Sequence, residues 1–262
     1  MSRDQTATLA RRDQVLQLVE AKGQVTVDEL VRRFAVSDDT IRRDLHDLEQ
    51  RGLLLRTHGG AVSAASLVHR DTPFLIRSKA HAEAKARIGR AAAQLISDGE
   101  TLILNAGSTT FAFANSLGLR RNLTIVTNNV AILSVLPSEA VQSVYLLGGE
   151  YKKNLGSTLG AVQFSSGNIS VDTAVIGVTG LTVTDGLSAT WLEEAPIVAR
   201  MIACSHRTIV VADASKLGVS AFAQIAPLSA IDILVTDGSP PAELSRALSE
   251  ANVEVVIANT DP

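Results

Sequence analysis

Apolar residues recur through the first 62 positions at the spacing of short helices. Val15, Leu16, Leu18 and Val19 form one stripe over Leu9 to Ala21, which ends at Lys22 and Gly23, a cation and a left-handed cap suited to a helix end. Thr26-Val27-Asp28-Glu29 has the form of a capping box, and Leu30, Val31 and Phe34 give the helix behind it an apolar face. Ser37 then caps a third helix, with Asp38 and Asp39 at the positive end of its dipole and Ile41, Leu45 and Leu48 at i, i+4 and i+7. Its opposite face carries Asp39, Arg43, His46 and Gln50, flanked by Thr40 and Arg42. Past Gly52, Leu53-Leu54-Leu55 and Ala61-Val62 flank Arg56-Thr57-His58-Gly59-Gly60, which predicts a two-stranded wing. The pattern as a whole predicts a winged helix-turn-helix over residues 1–62. In that motif the third helix meets base edges of duplex DNA and the wing sets a cation beside its backbone. The candidate DNA contacts are Ser37, Thr40, Arg42, Arg43, His46, Arg56 and His58.

Residues 63–79 are rich in small residues, hold Pro73, and predict a linker that ends by docking Phe74, Leu75 and Ile76. Over 80–262 the period changes repeatedly between helix and strand. Helices are predicted at Lys85 to Ile96, Phe111 to Leu117, Val130 to Leu136, Trp191 to Cys204 and Pro241 to Ala251. Strands are predicted at Thr101 to Leu104, Thr124 to Thr127, Val144 to Leu147, Thr173 to Val178, Thr208 to Ala212, Ile231 to Thr236 and Val253 to Ile257. Such alternation predicts a larger α/β domain with a mostly parallel, Rossmann-like sheet.

Ligands of such sheets lie at the carboxyl ends of strands. Four polar strand ends stand out: Asn105-Ala106-Gly107-Ser108-Thr109-Thr110, Asn128-Asn129, Gly148-Gly149-Glu150 and Asp213-Ala214-Ser215-Lys216. The first runs into a helix and offers backbone N–H groups, hydroxyls and a dipole end to an anion, a phosphate cradle without a P-loop lysine.

Two strings in the first domain, Val36-Ser37-x-x-Thr40-Ile41-Arg42-Arg43-Asp44-Leu45 and Leu54-x-Arg56-x-His58-Gly59-Gly60-Ala61, resemble the DeoR family of bacterial transcription regulators. Lys85 to Val256 is similar to that family's sensor domain. The matching strings are Gly107-Ser108-Thr109-Thr110, Val126-Thr127-Asn128-Asn129, Leu147-Gly148-Gly149, Gly177-x-x-Gly180, Gly186-Leu187-Ser188, Glu194-Ala195 and Ala212-Asp213-x-Ser215-Lys216. The resemblance implies a fold like that of ribose-5-phosphate isomerase, a phosphorylated sugar or related metabolite as effector, and a repressor that the effector releases. It also implies that Gly107 to Thr110 hold phosphate while Asn128, Asp213 and Lys216 face the ligand, with Asn105, Gly148, Gly149, Gly180 and Glu194 completing the candidate set. Two departures stand against it. Val198 occupies the position of a usual lysine, and Asn105-Ala106 replaces a usual Asp-Ser.

Composition narrows the alternatives. Hydrophobic residues make up 46% but aromatics only 3%, so the core is aliphatic, as in α/β proteins. Residues 1–60 hold 10 basic and 10 acidic side chains, so the net charge of −3 lies wholly beyond them. A head without excess positive charge binds weakly in one copy, which predicts a homo-oligomer. Neither a membrane span nor a signal peptide is indicated, and a cytoplasmic location is expected. Cys204 is the one cysteine and reads as a small buried hydrophobe. His69 and His81 lack ligand-spaced partners and read as solvated, and neither metal nor cofactor is expected. An isomerase would need a positioned base and an electrophile, for which Glu194 and Lys216 are the conceivable pair. The predicted strand ending in Gly177-Val178-Thr179-Gly180 has no carboxylate, and no catalytic histidine motif occurs, so an enzyme is not expected.

Overall fold

The computed structural model describes residues 3–22, 24–50, 53–57, 59–63, 74–160 and 169–258. The chain falls into two units, Met1–Ala82 and Glu83–Pro262.

In the first unit α1 (Arg3–Lys22), β1 (Gln24–Thr26), α2 (Val27–Phe34), α3 (Asp38–Gln50), β2 (Leu54–Thr57) and β3 (Gly60–Ser63) follow one another. Val15, Val19, Leu30, Ile41, Leu45, Leu48 and Leu54 form its core, so the predicted stripes do face inward. α1 begins at Arg3 rather than Leu9, and the predicted cap at Gly23 lies outside the described residues. The hydroxyl of Thr26 accepts from Glu29 N at 3.2 Å to cap α2. The Glu29 carboxylate takes Lys22 Nζ, which holds its pKa below the usual carboxylate range. Ala35 closes α2 in the left-handed region, φ 52, a position that glycine fills more easily.

The wing has three strands rather than two, in the order β1-β3-β2. Three residues of β1 are too few to show a period, and they become a strand only where β3 lies beside them. That pairing explains Gly60, because a Cβ there would stand 1.9 Å from the Val25 carbonyl oxygen. Of the predicted linker, residues 64–73 lie outside the described set and α4 (Phe74–Lys79) is a short helix. Phe74 is buried while Leu75 is 72% exposed. That corrects the expected docking of three consecutive residues, since neighbours on a helix point about 100° apart.

The second unit contains α5 (Ala82–Gln94), β4 (Thr101–Leu104), α6 (Ser108–Asn115), β5 (Leu123–Thr127), β6 (Val141–Leu146), β7 (Glu150–Lys152) and β8 (Ser157–Leu159). It continues with β9 (Val171–Gly177), β10 (Gly180–Thr182), β11 (Gly186–Ala189), α7 (Glu194–Ala203), β12 (Ser205–Val211), β13 (Ala223–Ala226), β14 (Ile233–Thr236), α8 (Ala242–Glu250) and β15 (Glu254–Ile257). Seven strands form one sheet in the order β15-β14-β12-β9-β4-β5-β6, with every neighbouring pair parallel. Each matches a strand predicted from the sequence. The chain builds outward from β4 to β6, then returns to β9 on the other side of β4, so the topological switch point lies between β4 and β9.

The interior strands are buried on both faces, and alternate residues enter opposite layers. Ile103, Val126, Ala174, Ile176, Val210 and Leu234 join Val198 and Met201 of α7 and Leu244 and Leu248 of α8. Leu102, Leu104, Ile125, Val175, Ile209 and Val235 join Ile88 and Ala92 of α5 and Phe113 of α6. Gly89 lets α5 approach α6, since a Cβ there would lie 2.7 Å from the Ala112 backbone.

Three features differ from expectation. Val130–Ser134 is a 3-10 turn rather than a helix, opened by Asn129 Oδ1 accepting from Ala131 N at 3.1 Å. The β7-β8 hairpin and a small antiparallel sheet, β10-β11-β13, were not predicted. Both use strands of three or four residues, too short to show a period, and β13 joins β11 only from about 35 residues further along the chain. No described helix is long and apolar enough to cross a membrane, and no cluster of three metal-binding side chains occurs among the described residues.

Candidate functional site

In the first unit, Ser37 opens α3. Its hydroxyl accepts from Thr40 N at 3.3 Å and lies 2.9 Å from Thr40 Oγ1, so Thr40 is half-buried against the cap. Arg42, Arg43 and His46 are exposed on the outward side. Arg42 is tied to Asp38 one turn back, an ion pair that raises its pKa, whereas Arg43 makes no ion pair among the described residues. Arg56 is half-buried on β2 with its backbone N–H on Glu49 Oε1 at 3.1 Å. His58 lies outside the described residues.

Sequence reasoning passed over what orients α3. Asp44, 1% exposed, accepts from Arg11 Nε at 2.6 Å and Arg12 Nε at 2.9 Å, while Arg12 Nη1 reaches Asp47 at 2.6 Å. Two cations of α1 thus grip the buried side of α3. The available signal was an acid at position 44 within the apolar stripe, between Ile41 and Leu45.

In the second unit the predicted strand ends do gather at the carboxyl edge of the sheet, but many of their side chains are occupied by backbone. Asn105, expected to face a ligand, bridges the switch point instead. Its Nδ2 donates to Gly177 O and its Oδ1 accepts from Gly177 N, both at 2.8 Å. Thr110, expected on the phosphate, is buried and donates to Asn105 O at 2.9 Å and Gly107 O at 3.0 Å. Gly149 and Gly180 have packing reasons of their own, since a Cβ would meet Leu159 O at 2.5 Å and Val219 O at 2.1 Å respectively. Gly148 is exposed with open space around it.

What remains is smaller and better defined. The amino end of α6 has no side-chain cap, and the hydroxyls of half-buried Ser108 and buried Thr109 make no hydrogen bond among the described residues. Asn128 is buried, with Nδ2 donating to Thr158 O at 3.0 Å and Oδ1 without a partner among the described residues. Asp213 Oδ1 accepts from Ser215 N at 3.1 Å and from the Ser215 hydroxyl, shaping the turn that presents Lys216. Glu194 is half-buried at the start of α7, its N–H on Trp191 O at 3.1 Å. Val198 is wholly buried in the apolar layer beside the sheet. His81, read as solvated, is half-buried at φ 51 because the chain turns there between two helices, which leaves its Nε2 without a partner among the described residues. Cys204 ends α7 half-buried, and burial raises its thiol pKa.

A cleft of about 470 Å³ lies at this same edge, between the β7-β8 hairpin and the segment Trp191 to Glu193. Of the four predicted strand ends only Glu150, the last residue of Gly148-Gly149-Glu150, lines it. Its sequence signal was the mixture Tyr151-Lys152-Lys153-Asn154.

Comparison with known proteins agrees with this layout. Residues 11–66 match the DeoR-like helix-turn-helix domain and residues 80–238 the DeoR C terminal sensor domain. The chain is 33% identical over 247 residues to the glycerol-3-phosphate regulon repressor of Escherichia coli K12, covering 94% of this chain and 97% of that protein. It is 33% identical over 249 residues to the HTH-type transcriptional repressor GlcR of Bacillus subtilis 168, covering 94% and 95%. Identity to the transcriptional repressor AccR of Agrobacterium fabrum C58 is 34% over 256 residues, covering 97% and 98%. Among solved structures, ribose 5-phosphate isomerase A from Methanocaldococcus jannaschii is similar over 52% of this chain and 55% of that one, with a TM-score of 0.37 and 17% identity. With family models matched in both units and relatives aligned along nearly its whole length, the chain belongs to the DeoR family of DNA-binding transcription regulators.

Proposed function

We propose that the chain represses carbohydrate-metabolism genes and that a phosphorylated sugar or sugar acid releases it from its operator. The observation that carries this is the outward face of α3, where Arg43 and His46 are exposed on a helix capped by Ser37 and gripped from behind through Asp44. A helix held in that way presents its first turns to the major groove as a rigid body. Arg43 and Arg42 read bases, with Arg42 leaving Asp38 to do so. Ser37, Thr40 and His46 complete the contact, and Arg56 with the wing residue His58 meets phosphates. The first 60 residues carry no net charge, so tight binding requires several heads and the working form is a homo-oligomer. The expected location is the cytoplasm.

For the effector, the uncapped amino end of α6 with Ser108 and Thr109 supplies donors at the switch point. That arrangement supports anion binding. Asn128 follows β5, Asp213 and Lys216 follow β12 at the same carboxyl edge, Glu194 opens α7, and Gly148 is exposed after β6. The roles foreseen for Asn105, Thr110, Gly149 and Gly180 reduce to holding this edge in shape. A regulator is favoured over an isomerase because β9 ends in Gly177-Val178-Thr179-Gly180, which offers no carboxylate to act as base.

Fluorescence anisotropy on duplexes selected from a random pool, and on scrambled counterparts, tests the reading. Arg43→Ala is expected to cost about 1 to 3 kcal/mol on selected duplexes and little on scrambled ones, while Arg56→Ala weakens both alike. Phosphorylated sugars are expected to release the selected duplex where their parent sugars do not, and Ser108→Glu to abolish that release. Equal, negligible losses for Arg43→Ala and Arg56→Ala would remove the assignment of α3.

A further inference from the structure

The cleft beside the β7-β8 hairpin has the lining that a sugar with one anionic end requires. Tyr151 and Trp191 line it with aromatic rings, the groups that pack on the C–H side of a sugar ring, and Asn154 and Glu193 line it with planar polar groups of the kind that bond sugar hydroxyls. Lys152 is neutralised by Glu150 at 2.7 Å, whereas Lys153 makes no ion pair among the described residues and is the cation left for an anionic group. At about 470 Å³ the cleft falls in the range of small-molecule sites.

Its position ties it to the anion-binding end of α6. Thr158 N donates to Asn128 O at 2.9 Å, Asn129 pairs with Ser157 as an isolated bridge, and Asn129 Nδ2 reaches Gly107 O at 3.4 Å. One hydrogen-bonded path therefore runs from the loop before α6 to Ser157 and Thr158 of β8, next in the chain to Leu159, which lines the cleft. Along that path Asn128 Oδ1 and Ser157 Oγ are buried and have no partner among the described residues. Two unsatisfied buried polar atoms are costly unless something completes them.

We infer that this cleft seats the body of the effector, a sugar phosphate or sugar acid, with Trp191 under the ring and its anionic group shared between Lys153 and the amino end of α6. The inference rests on the ligand reading above and adds the place and the residues. Trp191 is the chain's one tryptophan, so its emission reports on the cleft without any label.

The test titrates the full chain with hexose 6-phosphates, pentose 5-phosphates and hexonates, with glucose and inorganic phosphate as controls, while DNA release is measured in parallel. A saturable change in Trp191 emission is expected for at least one anionic sugar, at the concentrations that release DNA. Lys153→Ala is expected to weaken binding about tenfold or more and Lys153→Arg to restore most of it. Trp191→Phe, followed by calorimetry, should bind nearly as well as the parent while Trp191→Ala does not. DNA release with silent Trp191 emission and no effect of Lys153→Ala would overturn the cleft and leave the repressor reading intact. Emission that follows protein dilution and ignores every sugar would make the cleft a contact between copies of the chain and overturn the inference. Absence of both binding and DNA release across the panel would overturn the ligand reading as well.

Discussion

The two units differ in how their polar residues are used. On α3 the residues that the helical period turns outward, Arg42, Arg43 and His46, are exposed. At the carboxyl edge of the sheet, several residues chosen for their polarity face inward. Asn105 and Thr110 hydrogen-bond to backbone, and Gly149 and Gly180 make room for it. A helix satisfies its own peptide groups, so its outer side chains are left for partners. Loops at a sheet edge do not, and their short polar side chains are taken up in satisfying the chain before any ligand arrives. Polarity at a strand end is therefore a weaker sign of function than polarity on the outer face of a capped helix.

Three substitutions sharpen that contrast, each read by local hydrogen exchange on the full chain together with thermal unfolding. Asp44→Ala has the largest expected effect, because it leaves Arg11 beside a buried site without its carboxylate and leaves Arg12 with Asp47 alone. Breaking such a buried arrangement costs about 3 to 5 kcal/mol, and the lower end applies since the arginine side chains stay 17% and 20% exposed. Faster exchange should appear in α1 and α3 while the second unit is unchanged. Unaltered protection of α3 would mean that its orientation does not depend on the clamp.

Asn105→Ala comes next, at about 2 to 3 kcal/mol, because it orphans both the N–H and the carbonyl of Gly177 at the switch point. The loss should appear as faster exchange at the ends of β4 and β9. If stability is kept while sugar-phosphate binding disappears, Asn105 faces the ligand after all and the contrast between the units weakens. Thr26→Ala is the mildest, at about 1 kcal/mol, since it removes one cap from α2. Its effect should stay within α2, leaving Arg43-dependent DNA discrimination intact. A drop in that discrimination would show that the start of α2 and the face of α3 are coupled.

Local pattern was enough for much of this molecule. The helical stripes with Thr26 and Ser37 as caps, the outward face of α3 and all seven strands of the parallel sheet were legible, because a helix face repeats within a few residues, the interior strands buried on both sides are apolar runs, and the edge strands β6 and β15 fall in the alternation of helix and strand. What the sequence by itself left undecided depends on residues far apart in the chain. The strand β1, the clamp of Arg11 and Arg12 on Asp44, the bridge from Asn105 to Gly177, the small sheet β10-β11-β13 and the cleft between Tyr151 and Trp191 exist only once distant segments meet. No periodicity encodes such meetings. Only the tertiary structure decides which polar side chains are consumed by the fold and which remain for DNA or a ligand.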